Sequence, residues 1–140
     1  MPDARDVLSR FIEEVYGEGR LEPIDDVVHE EYVDHTMMLP GVSPDREGVK
    51  RFVEMLHGAL SDTNGTIERT LVDGDQVAWR WRMWGTHTGE FAGIPPSGNR
   101  IEITGNDVGV VRDGKLMERW CEQDMLSLMT QLGAIEPPVR

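Results

Sequence analysis

Apolar positions along the chain change their period once. Through residues 3–20 they recur at helical spacing, with Val7, Leu8, Phe11, Ile12 and Val15 on one side. Asp3 is a favoured cap for that helix, and Gly17 and Gly19 are stop signals. LEPIDDVVHEEY, residues 21–32, predicts a second short helix with Ile24, Val27 and Val28 inward. VDHT at 33–36 is too short and mixed to assign alone, and PGVSPD at 40–45 reads as a loop. REGVKRFVEMLHGAL, residues 46–60, predicts a further helix with Val49, Phe52, Val53 and Leu56 on one side.

After Asn64-Gly65 the alternation becomes twofold. Residues 66–89 predict two strands joined at Asp73-Gly74-Asp75, a hairpin signature. Val77, Trp79, Trp81 and Met83 share one face of the second strand, and Arg80, Arg82 and Trp84 share the other. IPPSGNR, residues 94–100, is a loop, because its prolines cannot donate to a central ladder. Residues 101–124 predict two more strands around Asp113-Gly114. A last short helix carries Leu128, Met129 and Leu132 and ends at Gly133. Helices first, then an antiparallel meander, make an α+β plan: one domain over residues 1–140, its N-terminal helices on a curved antiparallel or mixed sheet. Such layers can enclose an apolar pocket.

Composition narrows the function. The net charge of −12 sets a field that repels a phosphate backbone, so a nucleic-acid partner is not expected. No apolar run is long enough to span a bilayer, so no membrane partner is expected. Charges in MPDARDVLSR stand where a signal peptide needs its apolar region, and the expected location is the cytoplasm. Cys121 is the single cysteine, and its apolar surroundings predict a buried, inert thiol. The four histidines have no zinc-holding spacing and no dinucleotide or phosphate loop is present, so neither a metal nor an organic cofactor is expected.

GTHTGEFAGIPPSGNRIEITGND at 85–107, followed by DGKLMERWCEQDMLSLMTQLG at 113–133, resembles the SnoaL-like polyketide cyclase family. VDHT at 33–36 and REGVKRFVEML at 46–56 match its N-terminal half, so the likeness covers about residues 5–133. That family belongs to the nuclear-transport-factor-like and ketosteroid-isomerase-like superfamily. The resemblance implies a cone-shaped α+β barrel around a deep apolar pocket. It also implies cofactor-free aldol ring closure on a polycyclic polyketide, with an acid/base aspartate at the end of the last strand, matched here by Asp124. One departure stands out. Members commonly carry a polar or basic residue shortly after the aspartate matching Asp107, where this chain has Val108-Gly109-Val110-Val111. The same scaffold hosts isomerases, hydroxylases, epoxide hydrolases and non-catalytic binders.

Asp124 is the first candidate residue. Period two places Trp120, Glu122 and Asp124 on one face, with Cys121, Gln123 and Met125 on the other. A tryptophan beside the acid predicts an apolar setting, in which desolvation raises the carboxyl toward a useful general base. The competing reading is an N-cap for the helix over 126–132. The residues leave the two even, and the resemblance favours chemistry. An acid at the pocket floor supports an enzyme; an acid capping a surface helix supports a binder. His35, in VDHT, is the second candidate, able to orient a carbonyl or relay a proton. His87 is expected to fix a loop, and His29 and His57 are expected to face solvent.

Trp79, Trp81, Met83 and Trp120 are expected to wall the pocket and to suit a flat polycyclic ligand. Tyr16 is expected at the pocket mouth and Asn106 as a hydrogen-bond donor. Glu122 is expected either to couple to Asp124 or to pair with Arg80 or Arg82. The expected partner is a hydrophobic, carbonyl-containing small molecule. Arg80, Arg82 and Trp84 on the opposite sheet face predict a homodimer that buries Trp84, unless a loop or the 136–140 tail covers it.

Overall fold

The computed structural model describes residues 2–36 and 39–136. Helix α1 (Ala4–Ser9) is capped by Asp3, whose carboxylate accepts from Arg5 N–H. It continues into a π-helical segment (Arg10–Gly17) that buries Phe11, Ile12, Val15 and Tyr16. The wider π turn aims neighbouring residues inward together, and such segments recur at functional sites. Its end lies directly on the sheet, because Gly17 and Gly65 meet with no room for a Cβ at Gly17.

The expected helix over 21–32 is shorter than its pattern suggested. Helix α2 spans only Ile24–Val27, and the chain then extends into β1 (Val28–Asp34). Local propensity yields here to sheet pairing, since β1 runs parallel to β5 (Lys115–Gln123). The four expected strands therefore become five. Helix α3 (Arg46–Ala59) is capped by Asp45, which accepts from Gly48 N–H. Strands β2 (Leu60–Asp73), β3 (Gln76–His87) and β4 (Arg100–Arg112) precede β5, and α4 (Met125–Gln131) closes the chain. The sheet order is β1-β5-β4-β3-β2, antiparallel except for the β1–β5 edge. Among the described residues no helix is long and apolar enough to cross a membrane.

Register sets what faces inward. Trp81 sits opposite Gly105, which sits opposite Gln123. Trp79, Asp107 and Cys121 form the next inward row, and Val77, Gly109 and Arg119 the one after. Gly105 has no side chain because the Trp81 indole occupies that space. The helices and this inner face enclose the core, and the face left outside carries Arg80, Asn106, Val108 and Trp120.

Candidate functional site

The core does not close at the wide end of the sheet. A cavity of about 510 Å³ remains, walled by Ile12, Phe52, Trp81, Met83, Ile103 and Leu128. Phe91, Ala92 and Ile94 cover part of it from the loop between β3 and β4. Its size and mostly apolar wall suit one small organic molecule.

At one end the wall turns polar. Tyr16, Asp34, Thr36, Arg119 and Cys121 all reach the lining. Asp34 is only 5% exposed. Its Oδ1 accepts from Thr36 N–H at 2.9 Å and from the Thr36 hydroxyl at 3.1 Å. The Tyr32 hydroxyl donates to Oδ2 from behind at 3.2 Å. Thr36 also accepts from Cys121 N–H, which ties β1 to β5 beneath the acid.

Arg119 lies beside this acid. Its guanidinium donates to Asp107 Oδ2 at 2.7 Å, and Nη1 donates to the Tyr16 hydroxyl at 3.1 Å. The Phe11 and Tyr16 rings flank it at 5.2 and 5.3 Å. Asp107 is completed by the Trp81 indole N–H at 3.0 Å, so one buried carboxylate fixes both a cation and an aromatic wall. Burial opposes the charge on Arg119, yet Asp107 and the neighbouring groups outweigh it and hold its pKa well above the usual value. Burial pushes Tyr16 up to about 12, against the pull of Arg119. Tyr16 is therefore a neutral donor at neutral pH, with its oxygen held by a guanidinium. Burial likewise pushes Cys121 up to about 12. The thiol, expected to be buried, is half-buried and faces the cavity, and it is held in its protonated form.

Several expectations need correction. Asp124 does not point into the cavity. It is exposed, it caps α4, and its carboxylate accepts from Ser127 N–H at 3.0 Å. His35 is on the outer side, stacked on Trp120 at 4.2 Å and bonded to Glu118 at 3.0 Å. Trp120 is 39% exposed, and Asn106 is exposed with Arg80 donating to it. Trp79 is core, packed near Gly109, and is off the lining. Arg80 pairs with Glu68 and Arg82 with Glu102, so neither pairs with Glu122.

For Trp120 and Asp124 the cause is one residue of β5. Val110 pairs with Glu118 but Val111 pairs with Leu116, so Met117 is a bulge. A bulge reverses the parity of every later residue in its strand. Counting by two from Leu116 puts Trp120, Glu122 and Asp124 inside; past the bulge, Arg119, Cys121 and Gln123 are inside.

Of the expected site residues, Tyr16, Trp81, Met83 and Glu122 are on the lining, and Tyr16 is at the polar floor rather than the mouth. His57 is not solvent-facing; its Nε2 meets the Tyr16 carbonyl at 2.7 Å and steadies the π segment. Asp34, Arg119 and Asp107 were not singled out. For Asp107 and Arg119 a charged residue on the inward row of an apolar-patterned strand could have been the signal. Among the described residues no three His, Cys, Asp or Glu side chains gather as a metal site.

This architecture is a small α+β cone with an acid, a cation and a tyrosine at its floor. The SnoaL-like polyketide cyclase model matches residues 6–132, and the chain belongs to that family. It is 27% identical over 137 residues to aklanonic acid methyl ester cyclase DnrD of Streptomyces peucetius, covering 91% of this chain and 89% of that protein. It is 23% identical over 122 residues to nogalonic acid methyl ester cyclase of Streptomyces nogalater, covering 84% and 89%. Among solved structures, TsrD from Streptomyces laurentii superposes with a TM-score of 0.85 at 28% identity, covering 96% of this chain and all of that one.

Proposed function

We propose that the protein is a cofactor-independent acid/base enzyme that closes a ring in a hydrophobic, carbonyl-bearing polyketide. The observation that carries this is the joining of Asp34, Tyr16 and the Asp107–Arg119 pair at one end of an apolar cavity. Asp34 removes a proton from a carbon next to a carbonyl, and the C–H electron pair moves onto that carbonyl as an enolate. The Tyr16 hydroxyl donates to the oxyanion while Arg119 holds the Tyr16 oxygen. The enolate carbon attacks a second carbonyl and forms the C–C bond. The alkoxide then takes back the proton from Asp34, so atoms and electrons balance and no oxidant is required. Trp81 and Met83 hold the chain of carbonyls folded, which supplies acceleration through orientation.

An acid capping a surface helix was the feature expected of a binder, and Asp124 is such an acid. Asp34 supplies the floor acid that a binder would not need. The test offers nogalonic and aklanonic acid methyl esters to the enzyme and follows conversion to products of unchanged mass. Wild type is expected to convert one or both, and Asp34→Asn to lose about 10²–10⁴-fold in kcat while keeping its fold. No turnover by wild type, or full turnover by the variant, would refute the reading.

The same reading includes a homodimer through the outer sheet face. Trp84 is half-buried beneath Arg82, 5.4 Å from its ring, so the open apolar centre is instead Val108 and Trp120. Arg80 and Arg82 lie on one side of that centre and Glu118 and Glu122 on the other. A twofold axis through β4 would set each basic side against the partner's acidic side. A stable pair needs roughly 1,000 Å² of buried surface. Residues 137–140 of the tail that could cover this face instead lie outside the described residues. Light scattering at micromolar concentration decides it, since a 15.8 kDa species would refute the dimer. A single unpaired cysteine also fits the reducing cytoplasm.

A further inference from the structure

His87 is fully buried and off the cavity lining, so the proposed chemistry leaves it without a task. Among the described residues, its side-chain bonds go to the segment that follows it. Ser97 N–H donates to His87 Nδ1 at 3.1 Å, and the Ser97 hydroxyl lies 2.9 Å from the same nitrogen. Asn99 N–H donates to that hydroxyl oxygen, which leaves the hydroxyl proton for Nδ1. Gly98 N–H donates to the His87 carbonyl at 2.8 Å. With Nδ1 accepting, the ring proton is on Nε2, which is buried without a hydrogen-bond partner among the described residues. Such a donor is costly to bury. A leucine would avoid that cost, so it is the Nδ1 contact that accounts for a histidine here.

The held segment is a strap across the cavity. Thr88 and Gly89 N–H both donate to the Ala59 carbonyl at its start. At its end the Asn99 side chain donates to the Gln131 carbonyl on α4. Between Gly89 and Ser97, among the described residues, the backbone bonds only to itself, through the reciprocal Phe91–Ile94 pair at 3.0 and 2.8 Å. Ala92 at φ +47° and Gly93 at φ +85° make that turn tight. Phe91, Ala92 and Ile94 line the cavity while Gly93, Pro95 and Pro96 face solvent. A segment fixed at both ends and resting on apolar side chains between them opens locally with little disturbance elsewhere.

We infer that residues 88–99 are the lid of the cavity and that His87 is a positioning residue that latches it, setting where Phe91 and Ile94 meet the bound molecule. This rests on the cavity being the substrate site, but not on which residue catalyses. The latch is a neutral imidazole offering one acceptor to Ser97, and an asparagine oxygen can take that place.

The test compares wild type, His87→Leu and His87→Asn by residue-resolved hydrogen exchange and by stopped-flow release of Nile red, a flat uncharged dye. Exchange needs no ligand, and neither readout needs turnover, so a failed cyclase assay leaves the outcome intact. In His87→Leu, exchange at Phe91 and Ile94 and dye release are each expected to rise about tenfold, as the loss of a net hydrogen bond implies. Amides of Trp81 and Ile103 in the strands are expected to hold their rates, and His87→Asn to restore the lid. The proposal is overturned if the leucine variant leaves lid exchange and dye release unchanged. It is equally overturned if strand and lid amides rise together, if the folded asparagine variant fails to restore the lid, or if wild type takes up no dye.

Discussion

On the inner face of β5 stand Arg119, Cys121 and Gln123; on the outer face stand Glu118, Trp120 and Glu122. The two sets interleave along one strand and differ in almost every physical respect. Arg119 is buried, bonded to Asp107 and Tyr16, and flanked by aromatic rings. Glu118 and Trp120 reach solvent and engage His35 at the surface. The face that looks more like a reaction site in sequence, with its tryptophan and two acids, is the outer face, and of those three Glu122 alone, near the strand's end, also borders the cavity. The face that looks like a lone arginine and an inert thiol bears on the cavity. Residue type alone does not mark a site; the parity of the strand decides which types meet.

Substitutions can break this contrast. Arg119→Met is expected to destabilise by about 3–5 kcal/mol in urea unfolding, because it strands Asp107 in the interior without its cation. Adding Asp107→Leu to that variant should recover part of the loss. A penalty for Arg119→Met no larger than for a surface arginine would dissolve the contrast.

Alkaline pH probes the same interior. Burial pushes Tyr16 and Cys121 both up to about 12 in the folded state, above their ordinary values of 10.0 and 9.0. The folded state thus favours their protonated forms. Their contribution is complete below pH 9 and is lost as pH rises toward 12. For Tyr16 the shift corresponds to roughly 3 kcal/mol. Tyr16→Phe and Cys121→Ala should each flatten the fall of stability between pH 9 and 12, whereas Trp120→Phe should leave it unchanged.

On the outer face, Trp120→Glu is expected to leave the urea stability of the monomer within about 0.5 kcal/mol, as for an ordinary surface position. Dimerisation should weaken by roughly 2 kcal/mol, the scale of an interface-centre tryptophan, measured by sedimentation. Asp124→Ala is expected to cost about 1 kcal/mol through the lost cap, while Asp124→Asn costs almost nothing because asparagine caps as well.

The helices and hairpins were legible because their apolar periods are long and their turns carry Asp-Gly. β1 was hidden because Val28–Asp34 breaks the two-residue alternation, with Glu30, Glu31 and Val33 all exposed, and begins in a helical pattern. Its partner β5 is distant in sequence, and only that pairing makes it a strand. Tyr16, Trp81 and Met83 were legible as cavity residues because no irregularity interrupts their counting. Asp34 and Arg119 were not, because one lies on the hidden strand and the other just beyond a bulge. A bulge leaves little trace in a single sequence, since Met117 is as ordinary in a strand as its neighbours.

Asp34, and not Asp124, is the acid proposed to do the work. Measuring kcat of Asp34→Asn and Asp124→Asn side by side on one cyclised methyl ester, with both folds verified, tests this most directly. Asp34→Asn is expected to lose about 10²–10⁴-fold. Asp124→Asn is expected to keep a rate close to that of wild type. Loss of turnover in Asp124→Asn with turnover retained in Asp34→Asn would contradict the proposal.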